Sequence, residues 1–283
     1  MRNKKPIVLV LLLMVLGFPN ASGQDIYDYQ HSKRFASHLL RAGQYEQSIV
    51  ELERLVFFNT QSDTLRLQLL TAYRKAEKFS LGTKRAAELY PALYTMPAPA
   101  AYEYGKFFID QKKYAEADAF WLQSTTIPVA DQQVLSATAS ALDGNFSAAL
   151  RRLDAPQVQG HPLAPPYREL FGEAAAVRLK SPALAGIMSG LVPSSGRFYA
   201  RDWKDGLFSL VFMSTSAWQS YRGFQKKGAE SVRGWAFGGI ALGFYLGNIY
   251  GSAKAATRYN QLRRKEYLLS TERLFQSHYR SIE

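Results

Sequence analysis

The 283-residue sequence contains no cysteine. That excludes disulfides, thiolate nucleophiles, cysteine-based metal sites and acylation as a lipoprotein, so packing alone must hold the fold. Histidine is almost as scarce, with only His31, His38, His161 and His278. None forms an HExxH-type pair, and His31 and His38 lie two helical turns apart, wider than the one-turn spacing of shared metal ligands. They read as solvated or capping side chains, and neither metal nor cofactor is expected. No acid pair or Ser/His/Asp set stands out against ordinary charged helix faces, so the chain reads as a non-enzyme. Acidic residues are in the minority, 23 against 35 Lys and Arg, for a net charge of +12. No helix-turn-helix, zinc-knuckle or RNP-type pattern accompanies that charge, so nucleic acid is not expected as a partner. The basic clusters Lys226/Lys227/Arg233 and Arg258 to Lys265 instead flank apolar stretches, as groups facing anionic lipid headgroups do.

What is present begins with a leader-like terminus. Arg2, Lys4 and Lys5 precede an apolar run from Ile7 to Phe18, and Ala21 and Gly23 supply small residues before Gln24. This predicts a secretory signal peptide over 1–23, the alternative being an uncleaved anchor. The remainder is then expected in a cell envelope, with repeats in the periplasm and an anchor in the inner membrane.

Four short patterns recur over 27–158: "GQY" ending at Tyr45, "EKF" at Phe79, "KKY" at Tyr114 and "GNF" at Phe146, with aromatics 34, 35 and 32 residues apart. Three positions after each aromatic stand Ser48, Gly82, Ala117 and Ala149, and nine positions before it Ala36, Leu70, Gly105 and Ala137. Small residues at both places let two helices cross closely, with the aromatic plugging the end of the pair. A period near 34 with this pattern resembles the tetratricopeptide family, which implies a helix-pair solenoid whose concave face binds a protein. Tyr73, Tyr102, Tyr104 and Lys106 are the candidate partner-binding residues, expected on exposed first-helix faces. The Pro- and Gly-rich "DAPQVQGHPLAPP" ends the array, and a linker with a capping helix over Tyr167 to Leu179 fills 159–180.

From 181 to 260 three uncharged stretches follow: Ser181 to Gly196, Gly206 to Tyr221 and Gly234 to Ala253. The last has about twenty residues, enough to cross a ~30 Å core at ~1.5 Å per residue. The fold class expected is therefore all-α, a helix-pair solenoid followed by a glycine-rich helical membrane hairpin. Gly234, Gly238, Gly239, Gly243, Gly247 and Gly251 should form one close-packing face, also a candidate surface for self-association. Trp203, Trp218, Tyr221 and Trp235 lie near stretch ends, as an aromatic belt would place them. Asn248 and Tyr250 are the candidate intramembrane polar residues, Asn248 being expected to hydrogen-bond across the hairpin. Two crossings would put the loop Phe224 to Arg233 inside and both ends outside, although the equally basic "RYNQLRRKEYLL" then stays outside. From 261 to 283 the spacing of Leu262, Tyr267, Leu268 and Leu274 suits a basic amphipathic tail on a membrane or on the repeats.

"SPALAGIMSGLVPSSGRFYARDWKDGL" and "GFYLGNIYGSAKAATRYN" together resemble a membrane module of bacterial envelope proteins with a Pro-Gly-x-Gly-x-x-Tyr-x-Gly and Gly-Asn-x-Tyr pattern. The resemblance covers Ser181 to Asn260 and implies a membrane location but no activity. Ser194 and Arg201 stand where that pattern has glycine, so both turns are expected to close differently. Gly196, Arg197, Tyr199, Asp202, Trp203, Asp205 and Gly206 form the polar turn entering the hairpin. The function expected is a non-enzymatic envelope adaptor, its repeats recruiting a protein and its hairpin seated among membrane lipids. The alternative makes the module a lipid-handling or small transport element regulated by the repeats.

Overall fold

A computed structural model describes residues 28–279. The signal peptide expected over 1–23 and the end of the expected tail lie outside the described residues. The described chain is all-helical, and two compact units divide between Pro91 and Ala92.

The first unit holds two helix pairs, α1 (Tyr29–Arg41) with α2 (Tyr45–Phe58) and α3 (Asp63–Lys75) with α4 (Phe79–Leu89). Ala36 and Ser48 are fully buried at the first crossing, where the Ser48 hydroxyl donates to the Ala36 carbonyl at 3.1 Å. The second unit repeats the plan with α5 (Ala98–Asp110), α6 (Tyr114–Gln123), α7 (Val129–Leu142) and α8 (Phe146–Leu153). Each repeat aromatic is the first residue of a second helix, and all eight small or apolar crossing positions are buried. Gly105 shows why size matters there, because a Cβ would collide with the Trp121 ring.

The turn inside every pair carries a left-handed residue two places before the aromatic: Gly43 (φ 75°), Glu77 (φ 56°), Lys112 (φ 60°) and Gly144 (φ 86°). Glycine occupies that conformation freely, while a side chain there costs roughly 1–2 kcal/mol. The first letters of the four sequence patterns are thus the turn residues.

The capping helix α9 runs Ala164–Ala176 rather than 167–179, because Pro165 and Pro166 suit a first helical turn, where no N–H is required. After an extended segment come α10 (Pro182–Leu191), the short α11 (Ser195–Tyr199), α12 (Trp203–Lys227) and α13 (Val232–His278). Ser181 caps α10 by accepting from the Leu184 amide at 3.2 Å. Ser194 (φ 66°) and Arg201 (φ 61°) both adopt the left-handed conformation. The two turns therefore close in glycine-like geometry despite their side chains, against expectation.

Helices α12 and α13 form the hairpin. Its tip is drawn tight where a Cβ on Gly223 would press into the Gly234 backbone and the Ser220 hydroxyl donates to the Gly234 carbonyl at 2.7 Å. The tail is not a separate element, because α13 continues unbroken for 47 residues, roughly 70 Å at ~1.5 Å per residue. Nothing between Ala253 and Gln261 breaks it, since "KAATRYN" contains neither proline nor glycine. Among the described residues no helix is long and apolar enough to cross a membrane.

Candidate functional site

The hairpin is built with its large apolar side chains outward. On α12, Phe208, Phe212, Trp218 and Tyr221 are exposed, while the buried positions are Gly206, Met213, Ser216, Ser220 and Gly223. On α13, Trp235, Leu242, Leu246 and Tyr250 are exposed, and Gly234, Asn248 and Ser252 are buried. Leu191 on α10 is 80% exposed and continues the surface. Small residues bring helix backbones together and leave bulky ones to the periphery, the reverse of a water-facing helix pair.

Charge bounds this band at both ends. No charged residue occurs from Gly206 to Tyr221 or from Gly234 to Ala253. At the tip stand Arg222, Lys226, Lys227 and Arg233, with the Arg222 guanidinium 5.1 Å from the Trp218 ring centre and that of Arg233 5.9 Å from Phe237. The base holds an ion network in which Arg197 contacts Asp202 at 3.1 Å and Asp205 at 3.4 Å, and Arg258 contacts Asp202 at 3.0 Å. Gly251 makes room for Arg197, whose guanidinium a Cβ would strike.

Behind the network α10, α11 and α13 lock together through small groups. Ala185, Ala200, Ala255 and Ala256 form the core there, with Tyr199 packed on it. Ser189 and Ser252 share a 2.6 Å hydrogen bond, and the Ser189 hydroxyl accepts from the Gly196 amide at 2.9 Å. A Cβ on Gly196 would collide with the Ala185 carbonyl. Gly206 is similarly confined by Phe198 and Arg197. Tyr199 also accepts from the Ser181 amide at 3.1 Å beneath the Lys180 ammonium. Asn260 pairs with both the amide and the carbonyl of Lys180, each at 2.8 Å, which ties α13 to the segment before α10.

The expected single glycine face is corrected. Gly234 meets Phe224, Gly238 meets Ser220 and Gly251 meets Arg197, but a Cβ on Gly239, Gly243 or Gly247 would meet nothing. Spaced by four, these three stack on one side of the helix, roughly half a turn from Gly234 and Gly238 at ~100° per residue. Asn248 also departs from expectation. Its Oδ1 accepts from Ser194 Oγ at 3.4 Å, not from α12, and its buried Nδ2 has no partner. Tyr250 and Trp203 are surface residues, 72% and 59% exposed.

A second constellation joins the tail of α13 to the repeats of the same unit. Phe275 is fully buried with its ring 6.0 Å from that of Trp121, and Tyr267 packs edge-on against Phe146. Arg264 donates to the Asp143 carbonyl at 2.9 Å. At the helix end the Tyr279 hydroxyl donates to Asp131 Oδ1 at 2.6 Å, its carbonyl accepts from Lys106 Nζ at 2.5 Å, and its ring lies 5.0 Å from that of Tyr102. Tyr102 donates to the other Asp131 oxygen at 3.0 Å. Burial pushes the Asp131 carboxyl up, but the hydrogen bonds from Tyr279, His161 and Tyr102 outweigh it and hold the group below the usual carboxylate range.

Asp131, His161 and His278 are the described residues that could offer three donors to one metal ion, their atoms lying within 4.8 Å of one another. The hydrogen bonds favour a different reading. The Leu163 amide donates to His161 Nδ1 at 3.1 Å, which leaves the ring proton on Nε2, 2.9 Å from Asp131. A metal-ligating imidazole needs the opposite, a free lone pair on one nitrogen and an N–H on the other facing an acceptor. The cluster is a hydrogen-bonded clamp on the helix end.

The clamp redefines the predicted partner-binding residues. Tyr102 and Lys106 hold Tyr279, and Tyr104 is buried among Phe107, Phe108 and Phe120. Tyr73, in the first unit, is half-exposed, as Tyr102 is, and its hydroxyl donates to Glu53 at 2.8 Å. Sequence reasoning missed Trp121, Asp131, His161, Phe275 and Tyr279. The available signal was the four-residue spacing of Tyr267, Thr271, Phe275 and Tyr279, the last three of them buried, which shares Tyr267 with the stripe drawn through Leu262 but not Leu262 itself, which is 62% exposed. Compared with protein-family models, curated proteins and solved structures, the chain has no match.

Proposed function

We propose that the protein is a non-enzymatic envelope adaptor. A signal peptide exports it, the α10–α13 module seats it in a membrane, and its helix pairs, of the tetratricopeptide kind, hold a protein partner. The observation that carries this reading is the charge-bounded band of exposed Phe, Trp, Leu and Tyr on the hairpin. A contiguous apolar surface of that extent is a membrane or interaction surface rather than a water-facing one. Asp205 to Tyr221 spans about 25 Å at ~1.5 Å per residue, close to a ~30 Å bilayer core. The modest apolarity of each helix follows from its inner face, where Gly, Ser and Asn meet a neighbouring helix and contribute nothing to lipid contact.

The tail clamp occupies the first-helix face of α5 and α7, so partner capture falls to the first unit. There Phe57 and Phe58 at the end of α2 are 78% and 69% exposed. Membrane fractionation of the full chain tests the anchor. The protein should resist carbonate and require detergent, and Phe212→Lys with Leu242→Lys should shift it toward the carbonate-soluble fraction. Release of the unaltered chain by carbonate would refute the anchor. Phe57→Ser with Phe58→Ser should reduce co-purification of the partner and leave fractionation unchanged.

A further inference from the structure

The glycines that meet nothing bound a groove. Between the base of α12 and the middle of α13 lies a cavity of ≈ 640 Å³ whose α13 wall is made by Ile240, Gly243, Phe244 and Gly247 and whose α12 wall includes Phe208 and Ser209. Bare glycine backbone beside two phenyl rings makes a smooth apolar slot that suits an extended hydrocarbon chain. Along α13 the slot changes character within about 12 Å, from Ile240 to Asn248 at ~1.5 Å per residue. Its other end is polar, lined by Asn248, Arg197 and Asp205.

Two donors at that end are unspent. Asn248 is 2% exposed, and its Nδ2 finds no acceptor. Arg197 is held by the two aspartates through one terminal nitrogen, while its buried Nε has no partner. A buried donor without an acceptor forfeits the hydrogen bond it made with water, so such groups call for a ligand oxygen. Asp205, by contrast, stands 61% exposed at the lip and offers a negative charge to solvent. The polar end therefore asks for acceptor oxygens inside and a cation outside.

Resting on the membrane-seated reading above, we infer that the groove binds one zwitterionic aminophospholipid. Its phosphate oxygens accept from Asn248 Nδ2 and Arg197 Nε, its ammonium pairs with Asp205, and one acyl chain lies along Gly243 and Gly247 between Phe208 and Phe244. An anionic headgroup without an ammonium would satisfy the inner donors but place its charge beside Asp205 uncompensated.

The test uses the full chain, detergent-solubilised, stripped of lipid, incubated with equimolar phosphatidylethanolamine and phosphatidylglycerol, and repurified for lipid quantification by mass spectrometry. About one phosphatidylethanolamine per chain is expected, with phosphatidylglycerol lower by about tenfold. Gly247→Leu fills the slot at a position where an added Cβ meets no protein atom within 4 Å, and should lower bound lipid by about tenfold. Gly239→Leu, equally unobstructed but outside the groove, should leave it unchanged. Circular dichroism confirms that both variants remain folded. Equal retention of the two lipids, or equal binding by Gly247→Leu and the unaltered chain, overturns the inference. If the chain instead comes off membranes in carbonate, it is the anchor reading that falls.

Discussion

The helix pairs and the hairpin are both all-helical, yet they place their large side chains on opposite sides. In the pairs Trp121, Phe107, Leu52 and Leu70 are fully buried and most charged residues face outward, with Arg74, Glu103 and Lys106 as buried exceptions. In the hairpin Phe208, Trp218, Trp235 and Leu246 face outward and the interior is mostly Gly and Ser, with Met213 and Asn248. On the membrane-seated reading proposed above, the same secondary structure answers to two surroundings. A helix pair in water gains by removing apolar area from solvent, whereas a pair surrounded by hydrocarbon gains only from close backbone approach and hydrogen bonds.

The sharpest way to break that comparison is to truncate one bulky residue on each side. Trp121→Ala, which empties the contact with Gly105 and Phe275, should cost about 3–5 kcal/mol in denaturant unfolding of the repeats. Phe212→Ala in the band should change fold stability in detergent by less than about 0.5 kcal/mol. Comparable losses at the two sites would mean that the hairpin's outer face is part of a conventional core.

The next effect falls on the clamp. Tyr279→Phe removes a hydrogen bond to a carboxylate and should cost about 1.5–3 kcal/mol, read as faster hydrogen exchange in the last turns of α13. Acid should loosen the same segment. Burial and the neighbouring His161 depress the His278 pKa despite Asp131. A depressed value favours the neutral ring in the folded state, so that contribution is complete above pH ~6.5 and is lost as pH falls through the folded pKa. The depressed Asp131 adds a second loss, present above pH ~4 and lost as pH falls below it. The protection factors of the tail amides, exchange rates corrected for the intrinsic slowing of amide exchange in acid, should therefore fall from about pH 6.5 downward, and protection factors unchanged between pH 7 and 5 would contradict the assignment.

Smaller effects come from the turns. Glu77→Gly and Lys112→Gly in the repeats, and Ser194→Gly and Arg201→Gly at the hairpin base, each relieve a left-handed side chain. Each should stabilise by about 1 kcal/mol or less, the relief being offset by the added freedom of glycine in the unfolded chain. Thermal unfolding of the four single variants checks this.

The repeats were legible because their signal is local and periodic. Small residues at Ala36, Ser48, Ala137 and Ala149 and the aromatics at Tyr45 and Phe146 mark helix crossings within one turn of sequence. The hairpin band was legible for a different reason, since a long uncharged run is visible without knowing its neighbours. The clamp was not, because Asp131, His161 and Tyr279 come from distant parts of the chain and each looks ordinary alone. Nor was the division of the glycine row, since Gly247 and Gly251 differ only in what lies opposite, an open groove in one case and Arg197 in the other.

The contrast between buried and outward-facing side chains can be read from the tryptophans by fluorescence quenching. Trp121 is fully buried in the repeats, while Trp218 and Trp235 are 54% and 66% exposed on the hairpin. Full-length single-tryptophan variants would be reconstituted into vesicles whose lipids carry brominated acyl chains. A membrane-seated hairpin should show strong quenching of Trp218 and Trp235 by the bromolipid, weak quenching of both by aqueous iodide, and protection of Trp121 from either. Trp218 and Trp235 quenched by iodide and untouched by bromolipid would contradict it.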